Sequence, residues 1–525
     1  MSSVHSLIQA SRQELVDGPH KVHGVILTYK LPGGLRRGSI WALWTILGAV
    51  VFLNVLSQWT AGHTLLLSLE YIHIHVEQLS RGKRLTHVFA TLVFGRLADI
   101  YSRPVASALA VIFFVLGSVI SAASPGVAAV IAGTIFHTMG IAGLGLLATL
   151  FIADYTSLRW RGAALSWTYI PNLVMTWVAP RFSVDIPWRW TYGIAAILMF
   201  VLCAPAGYLL FSAARKTSAT PNSLNSQPRR LASHMDLIGL SLFTLGFGLI
   251  EYNSAVASTD RAMDKYPPER IAKLTIGLLL TFPVFILWEL FGASFPLMPG
   301  RILRQRGVLL PVMINFLFWF ASVFPTGSLM DFVYFAWTAN TVGYLLSTSG
   351  IAYAASAPLL GLAYFAIRRH KPFLFLGNVL FALGCGLSLY VTRHWNFTAT
   401  DEVFPFMTYL FATQVLIGIG SAAVQMSALI GAQASVRHDD LAITTTLFFA
   451  WSQLATSVCL PIATSISVRL NNPARSTVSF SLALGLSVLC IILSLFIPNH
   501  ALSNEHNAVE VDRQVEKDSL ESQYK

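Results

Sequence analysis

The chain has 525 residues, of which 55% are hydrophobic and only 11% are charged, and its mean hydropathy is +0.63. Soluble domains carry about 25% charged residues, and one soluble core cannot absorb this much apolar sequence, so the composition indicates a membrane protein. The net charge of +11 comes from residues in short connections between apolar runs. No basic surface interleaved with aromatic residues is visible, so a nucleic-acid partner is not expected.

Thirteen apolar windows are candidates for helices that cross a bilayer, which needs about 20 apolar residues. In chain order they are Trp41–Ser57, Val105–Ala123, Val127–Ile152, Ala163–Ala179, Trp190–Phe211, Leu237–Tyr252, Leu274–Phe291, Val308–Trp337, Thr341–Ala366, Phe373–Val391, Phe406–Ala432, Ala442–Ile466 and Val478–Ile497. One more helix is needed before Gly95 and should end near Phe94. With it, the chain has fourteen helices.

The additional second helix is the weakest of the predicted elements. Its upstream sequence contains Glu77, Arg81, Lys83 and Arg84, and each charge costs about 2.5–3.5 kcal/mol at the centre of a membrane helix. Only His87–Phe94 is apolar. Either the helix is short with charged side chains that extend to the membrane surface, or this segment is not part of the native protein.

The windows and the polar stretches between them predict six parts. They are a disordered cytoplasmic N-terminus (1–39), a first helix bundle (40–213), a cytoplasmic linker (214–235), two extra helices with their connection (236–307), a second bundle (308–498) and a cytoplasmic tail (499–525). More Lys and Arg residues fall on the side that holds both termini, which makes that side cytoplasmic. Asn396, in Asn-Phe-Thr, then lies in an outer loop as a candidate glycosylation site.

Two predicted connections on the cytoplasmic side carry charge clusters. In the first, Gly95 allows two helix ends to approach closely, Asp99 lies near the start of the next helix, and Arg103 can pair with it. In the second, Asp154 ends one helix, and Arg159 and Arg161 begin the next. We interpret both clusters as a latch at an inner gate; the alternative for the first is a tight turn with a capping Asp.

These residues resemble known sequence motifs. The stretch Gly-Arg-Leu-Ala-Asp from Gly95, followed by Arg103 between two membrane helices, is similar to the signature of major facilitator transporters. Five further stretches are similar to fungal siderophore–iron transporters of that superfamily: Thr156–Gly162, Trp188–Gly193, Asp236–Gly239, Pro296–Pro299 and Gln433–Asp440.

The resemblance implies an all-α membrane protein with the major facilitator fold. Two six-helix bundles would enclose a central cavity, and the two extra helices would lie between them in the chain. It also implies proton-coupled import of ferric siderophores, although some relatives exchange glutathione. The sequence departs from the family pattern in the connection Arg368–Pro372, which is basic but has no acid, and in Arg469–Ser476, where a long outer loop is typical.

Proton coupling requires an ionisable group within the membrane, where charged side chains are costly and therefore mark functional sites. Asp331 is the first candidate, because it lies inside the apolar run Val308–Trp337. Glu251 and Glu289 lie in the two extra helices, where we expect them near the membrane surface. His137 has a pKa suited to proton exchange; the alternative is a histidine hydrogen-bonded within the core.

Polar residues on otherwise apolar helices are candidates for the substrate path. They are Asn172, Asn315, Gln414 and Gln425. The alternative for each is a hydrogen bond between neighbouring helices, worth about 0.6 kcal/mol.

The sequence therefore predicts a proton-coupled transporter of an organic small molecule, with a ferric siderophore as the first choice of substrate. The alternatives are a proton antiporter for drugs, toxins or glutathione, and a degenerate membrane protein that transports nothing. No catalytic constellation, metal motif or phosphate-binding loop is visible, so we expect no enzyme activity, resident metal or cofactor. We expect a monomer in the plasma membrane or in a vacuolar or endosomal membrane.

Overall fold

The computed structural model of the protein describes residues 44–59, 76–176, 186–216, 235–259, 268–334, 339–394, 403–469 and 472–504. In this part of the chain, fourteen helices have ten or more residues, and we number them α1 to α14. Short connections join them, together with one isolated β-bridge between Arg369 and Ala501.

The helices of the first half and the extra pair are α1 (Trp44–Trp59), α2 (Val76–Ile100), α3 (Arg103–Ala122), α4 (Val127–Tyr155), α5 (Leu158–Trp167), α6 (Trp188–Lys216), α7 (Leu237–Thr259) and α8 (Pro268–Leu279). A turn after α5 leads into a further helical segment at 170–176, and short π- and α-helical turns continue α8 to Gly292. The second half contains α9 (Arg306–Tyr334), α10 (Ala339–Ile367), α11 (Lys371–His394), α12 (Val403–Ala434), α13 (Leu441–Arg469) and α14 (Asn472–Leu495).

Among the described residues, ten helices are long and apolar enough to cross a membrane, and α1 and the first part of α7 are shorter apolar helices. Large apolar side chains point outward along these helices; Phe291, for example, is 83% exposed. Lipid tails can cover such side chains at no cost, whereas water cannot. The predicted all-α membrane protein is therefore confirmed, and the count of fourteen spans stays a prediction.

The second helix differs from its prediction in both length and character. α2 runs without interruption from Val76 to Ile100, so the expected end near Phe94 is wrong. Its charge at Arg84 faces Glu251 of α7, with the Arg84 Nε donating to the Glu251 Oε1 at 2.8 Å. Because this charge has a partner inside the protein, a helix with several charged residues is accommodated between its neighbours.

Two large apolar clusters fill the two halves of the molecule. One centres on α2, α3, α4 and α6, with Phe94, Phe114 and Leu147 at its core. The other fills the second half around Phe318 and Phe381, and it also takes in Leu158 and other residues of the α4–α5 region. The two halves therefore share a core at the end where α4 meets α5.

The extra helices α7 and α8 cover the line along which α2 meets α13. Phe243 and Phe285 pack there with Leu92 of α2 and Ala450 of α13. α7 and α8 approach each other closely at Gly246, where a Cβ atom would lie 2.8 Å from the backbone nitrogen of Thr281. Small residues at such contacts let helix backbones pack tightly inside a membrane.

Candidate functional site

Arg103 is the centre of a buried charge cluster between α2, α3 and α4. Its Nη1 donates to the Asp99 Oδ1 at 3.1 Å and to the Ala98 carbonyl at 2.7 Å. Its Nε donates to the Asp154 Oδ2, also at 3.1 Å. Arg103 is fully buried and both carboxylates are at least nine-tenths buried, so solvent screens these ion pairs little.

Local sequence explains how this cluster forms. The predicted ten-residue connection is mostly helical, since α2 continues to Ile100 and α3 begins at Arg103. The Ser102 backbone is extended and its hydroxyl accepts from the Val105 amide at 3.4 Å, so it caps α3 without a left-handed turn. Asp99 therefore lies in the last turn of α2, not at the start of the next helix. Arg103 follows it by four residues and covers the negative end of α2.

Asp154 also connects this cluster to the second half of the molecule. Its Oδ1 lies 3.5 Å from the Nε2 of His438, which stands in the 3₁₀ turn before α13. In the same turn, Asp440 forms a bidentate ion pair with Arg301, at 2.9 and 2.5 Å. We call the end of the assembly that carries the α2–α3 and α4–α5 connections the motif end. At this end, charged residues of the two halves meet.

Gly95 lies where α2 crosses α13. A Cβ atom at this position would lie 2.8 Å from the Thr446 Cβ, and closer still to the Thr446 hydroxyl. Leu92, Arg96 and Ile443 line a small cleft beside this contact. Only a glycine at position 95 permits this short distance between α2 and α13. The contact therefore depends on the residues at positions 95 and 446.

α5 and α10 make a second close contact at the motif end. A Cβ atom on Gly162 would lie 2.9 Å from the Tyr364 ring, and one on Gly361 would lie 2.7 Å from the Ser166 hydroxyl. The Arg159 guanidinium stacks over the Phe365 ring at 4.1 Å. These contacts close the two halves against each other.

The two arginines of the α4–α5 connection have different positions. Arg161 is fully buried and donates to the carbonyls of Ala153 and Thr156, at 2.9 and 3.3 Å, at the end of α4. Arg159 instead points across the interface towards α10. Of the six residues predicted for an inner gate, Asp99, Arg103 and Asp154 form one cluster, while Gly95, Arg159 and Arg161 lie at neighbouring contacts of the same end.

The segment after α14 takes part at this end, which sequence reasoning missed. Ala501 forms a β-bridge with Arg369, and the Leu502 amide donates to the Arg368 carbonyl at 2.9 Å. The Ser503 carbonyl accepts from the Arg159 amide of α5 at 3.0 Å. The segment therefore contacts both halves. No sequence motif predicts that this segment packs at the motif end. The apolar Leu502 among polar residues is the one feature of its sequence that could have indicated it.

The four candidates for proton coupling lie in different surroundings. Glu251 is only 3% exposed and is paired with Arg84, so it is buried inside the protein; its depth in the membrane stays a prediction. Glu289 accepts hydrogen bonds from the amides of Leu297 and Met298, at 3.1 and 3.0 Å. Asp331 belongs to α9, in a stretch whose side chains lie outside the described part.

His137 and the glycosylation candidate complete the comparison with the predictions. The His137 Nε2 lies 2.8 Å from the Ser57 hydroxyl of α1, inside the first half. This contact satisfies one ring nitrogen within the core. Asn396 lies outside the described residues.

Three of the four substrate-path candidates make hydrogen bonds to another helical segment of their own half. The Asn172 Oδ1 accepts from the Trp59 indole at 3.2 Å, and the Gln425 Oε1 accepts from the Tyr353 hydroxyl at 2.6 Å. Asn315 donates to the Phe448 carbonyl at 3.0 Å. Gln414 is buried in α12. Asn172, Asn315 and Gln425 each fit the alternative of an interhelical hydrogen bond, and a role in the substrate path stays a prediction.

Comparisons with known proteins bear on this architecture. Residues 84–213 match the sugar (and other) transporter family. The chain superposes on the proton:xylose symporter XylE, a major facilitator superfamily protein, with a TM-score of 0.58 and 13% identity over 90% of this chain and 98% of that one. The human organic anion transporter MFSD10 gives a TM-score of 0.54 and 13% identity over 86% and 99% of the two chains.

The chain has the fold of these transporters. A siderophore transporter of Zymoseptoria tritici is 28% identical over 421 residues, covering 75% of this chain and 63% of that protein. The low affinity heme transporter of Schizosaccharomyces pombe is 28% identical over 399 residues, covering 71% and 61%. The chain thus spans about three fifths of the length of these curated relatives.

In a major facilitator protein, two helix bundles rock against each other around a site near the centre of the membrane. The contacts that Gly95, Asp154 and Arg159 make with the second half lie at the motif end. The conformation is therefore one in which the motif end is closed.

Proposed function

We propose that the chain is a proton-coupled importer of ferric siderophores. One observation carries the proposal: the buried charge cluster of Asp99, Arg103 and Asp154 reaches across to His438 of the other half. A latch of this kind is useful where two bundles separate and rejoin. Several relatives of the chain are siderophore transporters, and this supports the proposed substrate class.

The transport cycle follows from alternating access. With the motif end closed, substrate enters from the opposite side; release requires the α2–α13 contact at Gly95 and the Asp154–His438 contact to separate. The bundles 40–213 and 308–498 rock as units, and region 236–307 supplies α7 and α8. Substrate and protons shift the balance between the two states by binding them with different affinities.

Asp331 is the first choice for the proton-carrying residue, and Glu251 is the second. The ion pair of Glu251 with Arg84 supports the second choice, because protonating this carboxylate would remove the partner of a buried guanidinium. With Glu251 ionised, the pair that joins α2 and α7 is neutral; with Glu251 protonated, it carries the positive charge of Arg84. Glu289 binds two backbone amides, which favours a structural role.

Orientation and location belong to the same proposal. The motif end and both termini face the cytoplasm, in keeping with the excess of Lys and Arg on that side. The protein works as a monomer in the plasma membrane or in a vacuolar or endosomal membrane, and its partners are protons and a small organic substrate. Heme is a second candidate substrate, because a relative of equal identity is a heme transporter.

The first experiment is uptake of radioactive iron from a panel of ferric siderophores, and of iron-labelled heme, in yeast cells without their own siderophore transporters. We expect uptake of at least one ferric siderophore, abolished by an uncoupler. Asp331→Asn or Glu251→Gln should abolish the part of uptake that depends on the proton gradient, with equal protein at the cell surface.

Glu269→Gln is the matched control, because Glu269 is an exposed acid at the start of α8. It should transport as the natural protein does. Uptake that resists the uncoupler would contradict proton coupling. Uptake of heme but of no ferric siderophore would show that heme, and not a siderophore, is the substrate. No uptake by protein at the surface would favour the antiporter or the degenerate protein.

A further inference from the structure

An aromatic contact between the two halves lies well away from the charge cluster of the motif end. Tyr169, in the turn after α5, stacks edge-on against Tyr353 of α10, with ring centroids 5.1 Å apart. The Tyr353 hydroxyl donates to the Gln425 Oε1 of α12 at 2.6 Å. Sequence reasoning selected Gln425 but neither tyrosine.

These residues lie at mid-depth in the helix assembly. Tyr169 follows the start of α5 at the motif end by about 16 Å of helix rise, and Tyr353 precedes the end of α10 by about 21 Å. Gln425 precedes the end of α12 by about 14 Å. Since the apolar layer of a bilayer is about 30 Å thick, all three stand near its centre.

The surroundings of this contact differ on its two sides. Towards the motif end, the α5–α10 interface is closed by Gly162 against the Tyr364 ring. Away from it, Asn172 accepts from the Trp59 indole at 3.2 Å on the first half. The charged cluster lies nearer the motif end. At the depth of Tyr169 and Tyr353, the polar groups named here are uncharged: hydroxyls, carboxamides and an indole.

The distribution of partners separates this contact from ordinary packing. The Tyr364 hydroxyl bonds to the Ser427 hydroxyl, within the second half. The Tyr169 ring instead meets the Tyr353 ring of the other half, with the centroids 5.1 Å apart. When the halves move apart, the two rings lose this contact, while the Tyr353 hydroxyl keeps Gln425 as its partner. A ligand that supplies oxygen atoms at this position could hydrogen-bond to the two hydroxyls that the separation uncovers.

We propose that Tyr169, Tyr353 and Gln425 form the floor of the substrate site, and that the Tyr169–Tyr353 contact is the barrier that opens when substrate passes to the motif end. The inference rests on the proposed transport function and adds the groups that position the substrate. The ligand is an organic molecule rich in carbonyl and hydroxyl oxygens, since uncharged donors and acceptors on aromatic walls recognise such groups.

The test compares substitutions that each remove one hydroxyl group. Tyr353→Phe and Tyr169→Phe each remove one hydroxyl of the floor. Tyr364→Phe, eleven residues further along α10, removes a hydroxyl bonded within the second half. In the uptake assay, Tyr353→Phe should raise KM about tenfold for the transported ferric siderophore at unchanged surface protein, and Tyr364→Phe should leave KM unchanged. Equal effects of the two changes on KM, or none, would overturn the floor.

A labelling experiment tests the floor without any substrate. Gln425→Cys and Ser427→Cys are each exposed, in intact cells, to a thiol reagent that does not cross membranes. Gln425 is partly accessible and Ser427 is fully buried, so we expect only Gln425→Cys to react. Equal labelling would contradict the floor. The expected labelling without siderophore uptake would overturn the substrate assignment and leave the floor standing.

Discussion

The α2–α3 and α10–α11 connections lie at the same end of the molecule and are secured by different interactions. In the α2–α3 connection, ion pairs between side chains hold the helix ends together: Arg103 is buried between Asp99 and Asp154. In the second, Arg368 and Arg369 are exposed, and their backbone is paired with Leu502 and Ala501 of the segment after α14. The second connection has no acid because its basic side chains remain in solvent and need none.

Two basic connections of similar sequence therefore have different structural roles. A buried arginine requires carboxylates, because an unpaired buried charge is costly. An exposed arginine is solvated, and a backbone pair then provides the attachment. The first connection should therefore be sensitive to changes of charge, and the second to changes of backbone or apolar contacts.

The largest expected effect is that of Arg103→Ala, which leaves two buried carboxylates without their partner. Breaking a buried ion pair from one side costs about 3–5 kcal/mol, so the unfolding temperature of the purified protein in detergent should fall strongly. Arg369→Ala is the control, because that side chain is exposed and the change should cost less than about 0.5 kcal/mol. Similar losses from both variants would remove the distinction between the connections.

Gly95→Ala tests the close contact of α2 with α13. The added methyl group would lie 2.8 Å from the Thr446 Cβ, and overpacking of this kind costs about 1–3 kcal/mol. We expect a lower unfolding temperature, restored when Thr446→Gly is added. If Thr446→Gly restores nothing, the contact does not limit the helix separation.

Leu502→Ala tests the attachment of the segment after α14. Leu502 is 1% exposed, and truncation of a buried leucine costs about 2 kcal/mol where the surroundings can relax. The loss of stability should be independent of salt concentration, because apolar contact and not charge holds this segment. Leu495→Ala, at a side chain that is 55% exposed, is the matched control. Equal stability of the two variants would contradict the attachment.

The smallest expected effect is the change of protein stability with pH that comes from His370 in the α10–α11 connection. Burial, with His500 beside it, lowers the pKa of His370 from its ordinary 6.5 to about 4. The unfolded chain then takes up a proton below pH 6.5 that the folded chain does not, so stability falls as pH decreases towards 4. Between pH 6.5 and 5.5 the loss should be about 1 kcal/mol, and His370→Phe should reduce it. An unchanged pH profile of unfolding would show that His370 is not its source.

Much of the fold follows from sequence because the bilayer imposes it. Backbone groups in lipid must be bonded within the segment, so each long apolar run becomes a helix, and the observed helices overlap the thirteen predicted windows. The exception is α2, which is continuous from Val76 to Ile100. Its charged residues led to the prediction of a shorter helix. The partner of its Arg84 is Glu251 of α7, 167 residues away, and no local pattern contains that information.

Composition and neighbouring residues are enough to predict the membrane class, the order of the helices and the grouping of Gly95, Asp99 and Arg103. Packing between distant segments places Asp154 opposite His438, Leu502 at the motif end and Tyr169 against Tyr353. Helix periodicity specifies which face of a helix a residue occupies, but it does not specify which distant segment packs on that face.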